Sequence, residues 1–240
     1  MIKKIIISIF LIVVFVGAYI AYDMYQQVYQ PNVTLKNATD KYFYVYSNYG
    51  FDDVVHDLYE KGYIINRESF EFVSEKKSGF KNNIHSGRYL LKEGMNNDQL
   101  VDLFRSGETV SVKVTFNNVR TKEDLAGMIS KNLECDSTVV LALINDKEFV
   151  GKYGFNTTTI LTLFLPNTYQ FNWATTAENA IKRMATEYKK FWTAERKAKA
   201  KKLNLTQSDV AILASIVQAE QTVHADERPK VAGLYINRLR

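Results

Sequence analysis

The sequence predicts an α+β chain in three parts: an N-terminal membrane-length helix, a compact α+β module, and a mixed, partly helical domain that fills the rest. Three observations lead there. Residues Ile5–Tyr22 form an 18-residue run in which Ser8 is the only plainly polar side chain. Between Tyr42 and Gly107, short β-rich runs alternate with apolar residues at helical spacing. Beyond Val110, capping signals and 3.6-residue periodicity dominate. Residues 1–25 are assigned to a short N-terminus plus the membrane helix, 26–40 to a linker, 41–109 to the module and 110–240 to the larger domain.

Composition sets the outer limits. An apolar fraction of 46% with 24% charged residues belongs to a globular chain and argues against disorder. The net charge of +5 is spread along the sequence, so it gives no footprint for nucleic acid. One cysteine, Cys135, excludes an internal disulfide and leaves the compartment open. His56, His85 and His224 lie far apart without partner cysteines, which disfavours a zinc site.

As a helix, the run Ile5–Tyr22 spans about 27 Å, close to the hydrocarbon thickness of a bilayer. Lys3 and Lys4 precede it and Asp23 follows, so the positive-inside rule keeps the N-terminus in the cytoplasm and exports the remainder. Tyr19, Tyr22 and Tyr25 suit the far interface. A cleaved signal peptide is the competing reading; its apolar core is shorter, and the bulky Tyr19, Ile20 and Tyr22 spoil most cleavage sites. An uncleaved signal anchor is therefore favoured.

Asp23–Asp40 is polar, contains Pro31 and reads as a spacer. Tyr42–Tyr46 is a strand candidate. Phe51, Val54, Val55, Leu58 and Tyr59 mark a helix stopped by Gly62, Ser69–Glu75 a second one, and Gly87–Leu91 an extended segment. Leu100, Leu103 and Phe104 mark a helix ending at Gly107. Val110–Phe116 alternates as a strand, and Thr121 with Asp124 forms a capping box opening a helix through Leu133. Leu163–Phe171, apolar and aromatic around Pro166, reads as a buried turn or loop rather than a strand. From Ala177, the pattern Ile181, Met184, Ala185, Tyr188, Phe191 and Trp192 predicts one long amphipathic helix. Its basic tail (Arg196, Lys197, Lys199, Lys201, Lys202) reads as a solvated helix end.

Thr206 and Asp209 open a further helix, whose apolar residues Val210, Leu213, Ile216 and Val217 follow the helical repeat. Glu220 falls within about 20° of Leu213 on the helical wheel. It is expected beside an apolar stripe at a helix C-terminus, where burial and the helix dipole both disfavour a charged carboxylate. Such a glutamic acid can serve as a general acid. The plainer alternative is a helix-edge glutamate reaching water.

These residues also carry a resemblance. Ala214-Ser215-Ile216-Val217-Gln218-Ala219-Glu220, then Glu227-Arg228-Pro229, Val231-Ala232 and Tyr235-Ile236-Asn237-Arg238-Leu239-Arg240, resemble the YceG-like endolytic murein transglycosylases. Leu165-Pro166-Asn167-Thr168-Tyr169 looks like that family's Pro-x-Thr-Tyr motif, and Ser86-Gly87-Arg88-Tyr89 with Arg105-Ser106-Gly107 like its LysM-like subdomain. The resemblance implies that Glu220 is the catalytic acid, with Gln218 standing where relatives carry a second acid, and Asn167 where many carry aspartate. It implies cleavage of MurNAc-GlcNAc bonds in nascent glycan strands, a single-pass protein of the cytoplasmic membrane, and peptidoglycan synthases as partners. No metal or organic cofactor is implied. Within the motif, Glu227, Arg228, Asn237 and Arg238 are candidates either to bind sugar or to brace the helices. Relatives continue past the position of Arg240 with a segment that completes the cleft. On that comparison the catalytic domain is expected to be truncated at its C-terminal end, and these 240 residues alone to be inactive. A non-catalytic peptidoglycan-binding protein is the second reading.

Overall fold

A computed structural model describes residues 2–36, 40–77, 79–81 and 83–239. Residues 37–39 of the expected linker and Arg240 of the terminal motif lie outside the described residues. The chain divides into two compact units, Met1–Val112 with Asn172–Ala174, and Lys113–Phe171 with Thr175–Arg240.

The first unit begins with helix α1 (Ile2–Tyr29), which is long and apolar enough to cross a membrane. Its side chains from Ile5 to Val16 are exposed, as none of the described elements covers them. The helix runs past the apolar stretch, and the segment after Tyr29 is no free spacer. Val33 is buried, and bridges join Pro31 to Asn96 and Val33 to Ile64. The polar composition concealed this because the attachment is made by amides. Asn32 and Asn97 are buried; Asn32 Nδ2 donates to Asn97 Oδ1 (2.7 Å) and to the Asn66 carbonyl (2.9 Å). Asn97 Nδ2 donates to the Gln27 carbonyl at the end of α1 (2.8 Å) and to Ser69 Oγ (2.9 Å).

The rest of this unit places strand β1 (Tyr42–Val45) antiparallel to β2 (Gly87–Leu90), with Phe43 opposite Tyr89 and Tyr44 opposite Arg88. Helices α2 (Phe51–Glu60), α3 (Arg67–Lys76) and α4 (Asn97–Ser106) complete it. Alternation turns Phe43, Val45 and Tyr89 inward, where they meet Val55, Leu58, Phe70, Leu100 and Phe104 in one apolar cluster. Each such side chain contributes about 1.5–3 kcal/mol on burial. Gly107 ends α4 in the left-handed conformation at φ 67°, a place glycine takes without Cβ cost.

The second unit carries strand β3 (Val112–Phe116), which runs into it from Val112, and β4 (Asn167–Phe171), paired with β3. The loop expected at Leu163–Phe171 is thus corrected. Pro166 stands just before the strand, so its missing N–H removes no bond from the ladder. Phe171 is buried, while Phe164 and Tyr169 pack on Phe116 at 5.4 and 5.9 Å between ring centroids.

Helix α5 (Lys122–Asn132) opens on the Thr121–Asp124 capping box. Helices α6 (Ser137–Asn145) and α7 (Lys147–Gly151) come after it, capped by Asp136 and Asp146. Next are a 3-10 turn at Ile160–Leu163 and helix α8 (Ala177–Phe191), which buries Ala177, Ala180, Ile181, Met184, Ala185 and Tyr188 on one stripe. The single long helix expected from Ala177 is in fact two. Thr193 takes an extended conformation and accepts from Arg196 N at 3.3 Å, starting α9 (Ala194–Lys202). A threonine side chain that caps a new helix also ends the old one, and the basic residues lie on this separate, mostly exposed helix.

Candidate active site

The site candidates belong to the last three elements of the second unit: α10 (Gln207–Glu220), a 3-10 turn (Ala225–Glu227) and α11 (Arg228–Arg238). The start of α10 is held firmly. Thr206 Oγ1 donates to Asp209 Oδ2 (2.6 Å) and accepts from Asp209 N (3.1 Å), forming the expected box. The threonine hydroxyl, and then the Thr206 backbone N–H, hold the Asp209 carboxyl below the usual carboxylate range. Ser208 meets Thr162 at 3.1 Å.

Toward its C-terminus the helix is less covered. Val217 is buried, but Ile212 and Ile216 remain 43% and 38% exposed. Glu220 is the final residue of α10 and is exposed. The helix-end position therefore agrees with the sequence reading, and the burial does not. A wheel angle places Glu220 next to apolar side chains, but it cannot say whether anything packs on them, and the described residues leave this part of the stripe open.

One side chain does engage Glu220. Tyr235, on α11, donates its hydroxyl to Glu220 Oε1 at 3.2 Å. That hydrogen bond raises the Tyr235 pKa, because losing the phenolic proton would forfeit it and set two anions side by side. The pairing spans 15 residues and depends on the return of α11 along α10, so helical spacing within one element gives no hint of it. In the sequence, Tyr235 stands out only as part of the terminal motif.

The other candidates divide. Arg228 Nε donates to the Gln221 carbonyl (3.0 Å) and Nη2 to the Thr222 carbonyl (3.5 Å), which closes the turn leaving α10. Glu227 accepts from Gln221 Nε2 at 2.6 Å. These two residues brace the loop behind Glu220, and Pro229 in the first turn of α11 supplies a preset φ. Asn237 and Arg238 are exposed on α11, with Arg238 near enough to Tyr235 to oppose the rise in its pKa. His224 donates its backbone N–H to Gln221 Oε1 and is a loop residue. Among the described residues, no three His, Cys, Asp or Glu side chains converge as metal ligands would. The arrangement can offer a carboxyl group, a phenol beside it and two guanidinium groups on a braced helical hairpin.

Residues 43–240 match the sequence profile of the YceG-like family. The endolytic murein transglycosylase of Bacillus subtilis (strain 168) is 26% identical over 195 residues, covering 74% of this chain and 52% of that protein. The chain thus spans about half the length of this curated relative. A crystal structure of a YceG-like protein from Listeria monocytogenes aligns with a TM-score of 0.48 and 23% identity, over 82% of this chain and 69% of that one.

Proposed function

The chain belongs to the YceG-like family, and from that premise we propose that it works as an endolytic peptidoglycan lytic transglycosylase with Glu220 as its acid. The observation that carries the reading is the family match running through α10 and α11, the hairpin on which Glu220 receives the Tyr235 hydroxyl. Glu220 protonates the departing glycosidic oxygen as the bond from the MurNAc anomeric carbon breaks. The 6-hydroxyl of the same MurNAc attacks that carbon and gives its proton to the Glu220 carboxylate. The products are a 1,6-anhydro-MurNAc end and a free hydroxyl on the leaving GlcNAc, with no water consumed. Because nucleophile and electrophile share one sugar, proximity replaces the second carboxylate that glycoside hydrolysis requires.

In this reading Asn237 and Arg238, exposed on α11, contact sugar, and Arg228 and Glu227 hold the turn. Residues 41–109 act as a LysM-like wall-binding module. Helix α1 serves as a single-pass anchor in the cytoplasmic membrane with its N-terminus inside. Cutting nascent strands there would end their elongation and bring the protein close to peptidoglycan synthases. The test uses protein isolated from its own membranes, incubated with purified peptidoglycan. Glu220→Gln is expected to stop release of anhydro-ended fragments, and unchanged release removes Glu220 from the mechanism. Protease accessibility on intact spheroplasts checks the orientation.

The exposure of Glu220 supports a second reading, a non-catalytic peptidoglycan binder. Binding to insoluble wall without soluble anhydro products from the unaltered protein would favour it.

A further inference from the structure

The outward face of β1 is built against the usual pattern. Phe43 and Val45 fill the core, so Tyr42, Tyr44 and Tyr46 all point the other way. A strand with one solvated face normally places polar residues there. Here three tyrosines succeed one another at about 6.8 Å spacing, and Tyr46 is 38% exposed. A second segment of the same unit adds to the row. Trp173 sets its ring edge-on to Tyr44 (4.8 Å between centroids) and Tyr46 (5.0 Å), while Tyr49 lies 4.9 Å from Tyr46.

The row is held in place from behind. Asn172 Nδ2 donates to Thr109 Oγ1 (3.2 Å) and its Oδ1 accepts from Ala174 N (2.9 Å), which fixes the turn presenting Trp173. Tyr49 donates its hydroxyl to Asp57 at 2.7 Å. Preset rings lose little freedom when a ligand stacks on them. At the Tyr42 end two cations lie beside the ring, next to the Asp40 carboxylate that accepts from the Lys41 backbone N–H. The Arg88 guanidinium lies 4.3 Å from the Tyr42 ring centroid and the Lys41 ammonium 5.5 Å. Arg88 donates through Nε and Nη2 to the carbonyls of Val110 and Ser111, which holds its guanidinium beside the Tyr42 ring.

Fixed aromatic rings in a row, with cations at one end, match a particular chemistry. Pyranose rings with equatorial substituents present apolar C–H faces that stack on aromatic rings, and carboxylates pair with ammonium and guanidinium groups. We propose that Tyr44, Tyr46, Tyr49 and Trp173 form a glycan-holding platform on the first unit, which grips a peptidoglycan strand by ring stacking while Lys41 and Arg88 take carboxylates of its stem peptides. The proposal rests on the reading that the substrate is peptidoglycan; it assigns no chemistry to these residues, and Glu220 belongs to the other unit.

Of the two tryptophans, Trp192 is buried and Trp173 is part-exposed, so a change in emission on adding ligand reports chiefly on Trp173. The full chain in detergent is titrated with soluble, uncross-linked glycan strands. Emission is expected to change on saturation, and Tyr46→Ala to weaken binding about tenfold, the scale of one lost stacking contact. Trp173→Ala, measured by sedimentation with insoluble wall, is expected to lose binding similarly. Tyr46→Phe keeps the ring, so it should bind as the parent does. Lys41→Glu should weaken strands bearing stem peptides and leave amidase-stripped strands unaffected. Unchanged emission at saturating strand, or parent-like binding by both alanine variants, overturns the platform. Glu220→Gln separates the two readings: it should bind like the parent, and if it still releases anhydro ends the catalytic assignment fails while the platform stands.

Discussion

Replacing Asn97 by alanine should loosen the attachment of helix α1 to the rest of the first unit. Asn97 is 1% exposed and makes three side-chain hydrogen bonds: it accepts from Asn32 Nδ2, and it donates to the Gln27 carbonyl and to Ser69 Oγ. Each bond contributes about 1 kcal/mol net, and a buried polar group left without a partner costs about 1–3 kcal/mol. Asn32 Nδ2 retains the Asn66 carbonyl, so one of its two N–H groups is orphaned, as is the Gln27 carbonyl. These effects overlap rather than add, which gives about 3 kcal/mol, or about two orders of magnitude in a local opening equilibrium. Hydrogen exchange in detergent reads that opening directly. Amides of Asn32, Val33, Asn66 and Ser69 should exchange about a hundredfold faster in Asn97→Ala, while those of α8 in the other unit keep their rates. A change below about threefold would mean that the amides are incidental and that apolar packing alone holds α1 to its unit.

Three further outcomes are expected. On the proposed mechanism, Tyr235→Phe, which removes the one side-chain donor to Glu220 among the described residues, should slow anhydro-end release severalfold without moving thermal unfolding; equal rates would leave Tyr235 no role. The Asp124 and Asp209 carboxyls are both held below their ordinary 3.8 by threonine donors at helix starts. A folded pKa beneath the unfolded one gives a contribution that is complete above the unfolded value and lost as pH falls through the folded one. Exchange at the first turns of α5 and α10 should therefore quicken below about pH 4, and Asp209→Asn should abolish that dependence at α10 alone. Gly87→Ala forces a side chain into φ 150° and places its Cβ 2.4 Å from Thr109 Cγ2, so the first unit should lose about 2–4 kcal/mol in denaturant unfolding. A loss under about 1 kcal/mol would show that the Thr109 segment gives way freely.

Local signals read well wherever the interaction lies within one element. The capping boxes at Thr121–Asp124 and Thr206–Asp209 join residues three apart, so the spacing itself specifies the bonds. The membrane-length run, the β1 and β2 strands and the stop at Gly107 depend equally on nearest neighbours. Pro166 and the Ala177 helix show where that reading weakens. A proline next to a strand looks, in sequence, like a proline inside one, and the threonine that caps α9 is hidden in a continuous apolar period.

The α+β class, the apolar anchor-length helix, the helix carrying Glu220 and the family motifs are all legible in the amino-acid order, because each is written in composition or short spacing. Three features needed the folded chain: α1 is tied to its unit by buried amides, Tyr235 reaches Glu220, and Glu220 lies exposed. The physical reason is common to all three. Burial and hydrogen-bond partnership are properties of what a second segment brings alongside, and the separation between Asn97 and Gln27, 70 residues, carries no local trace of their meeting.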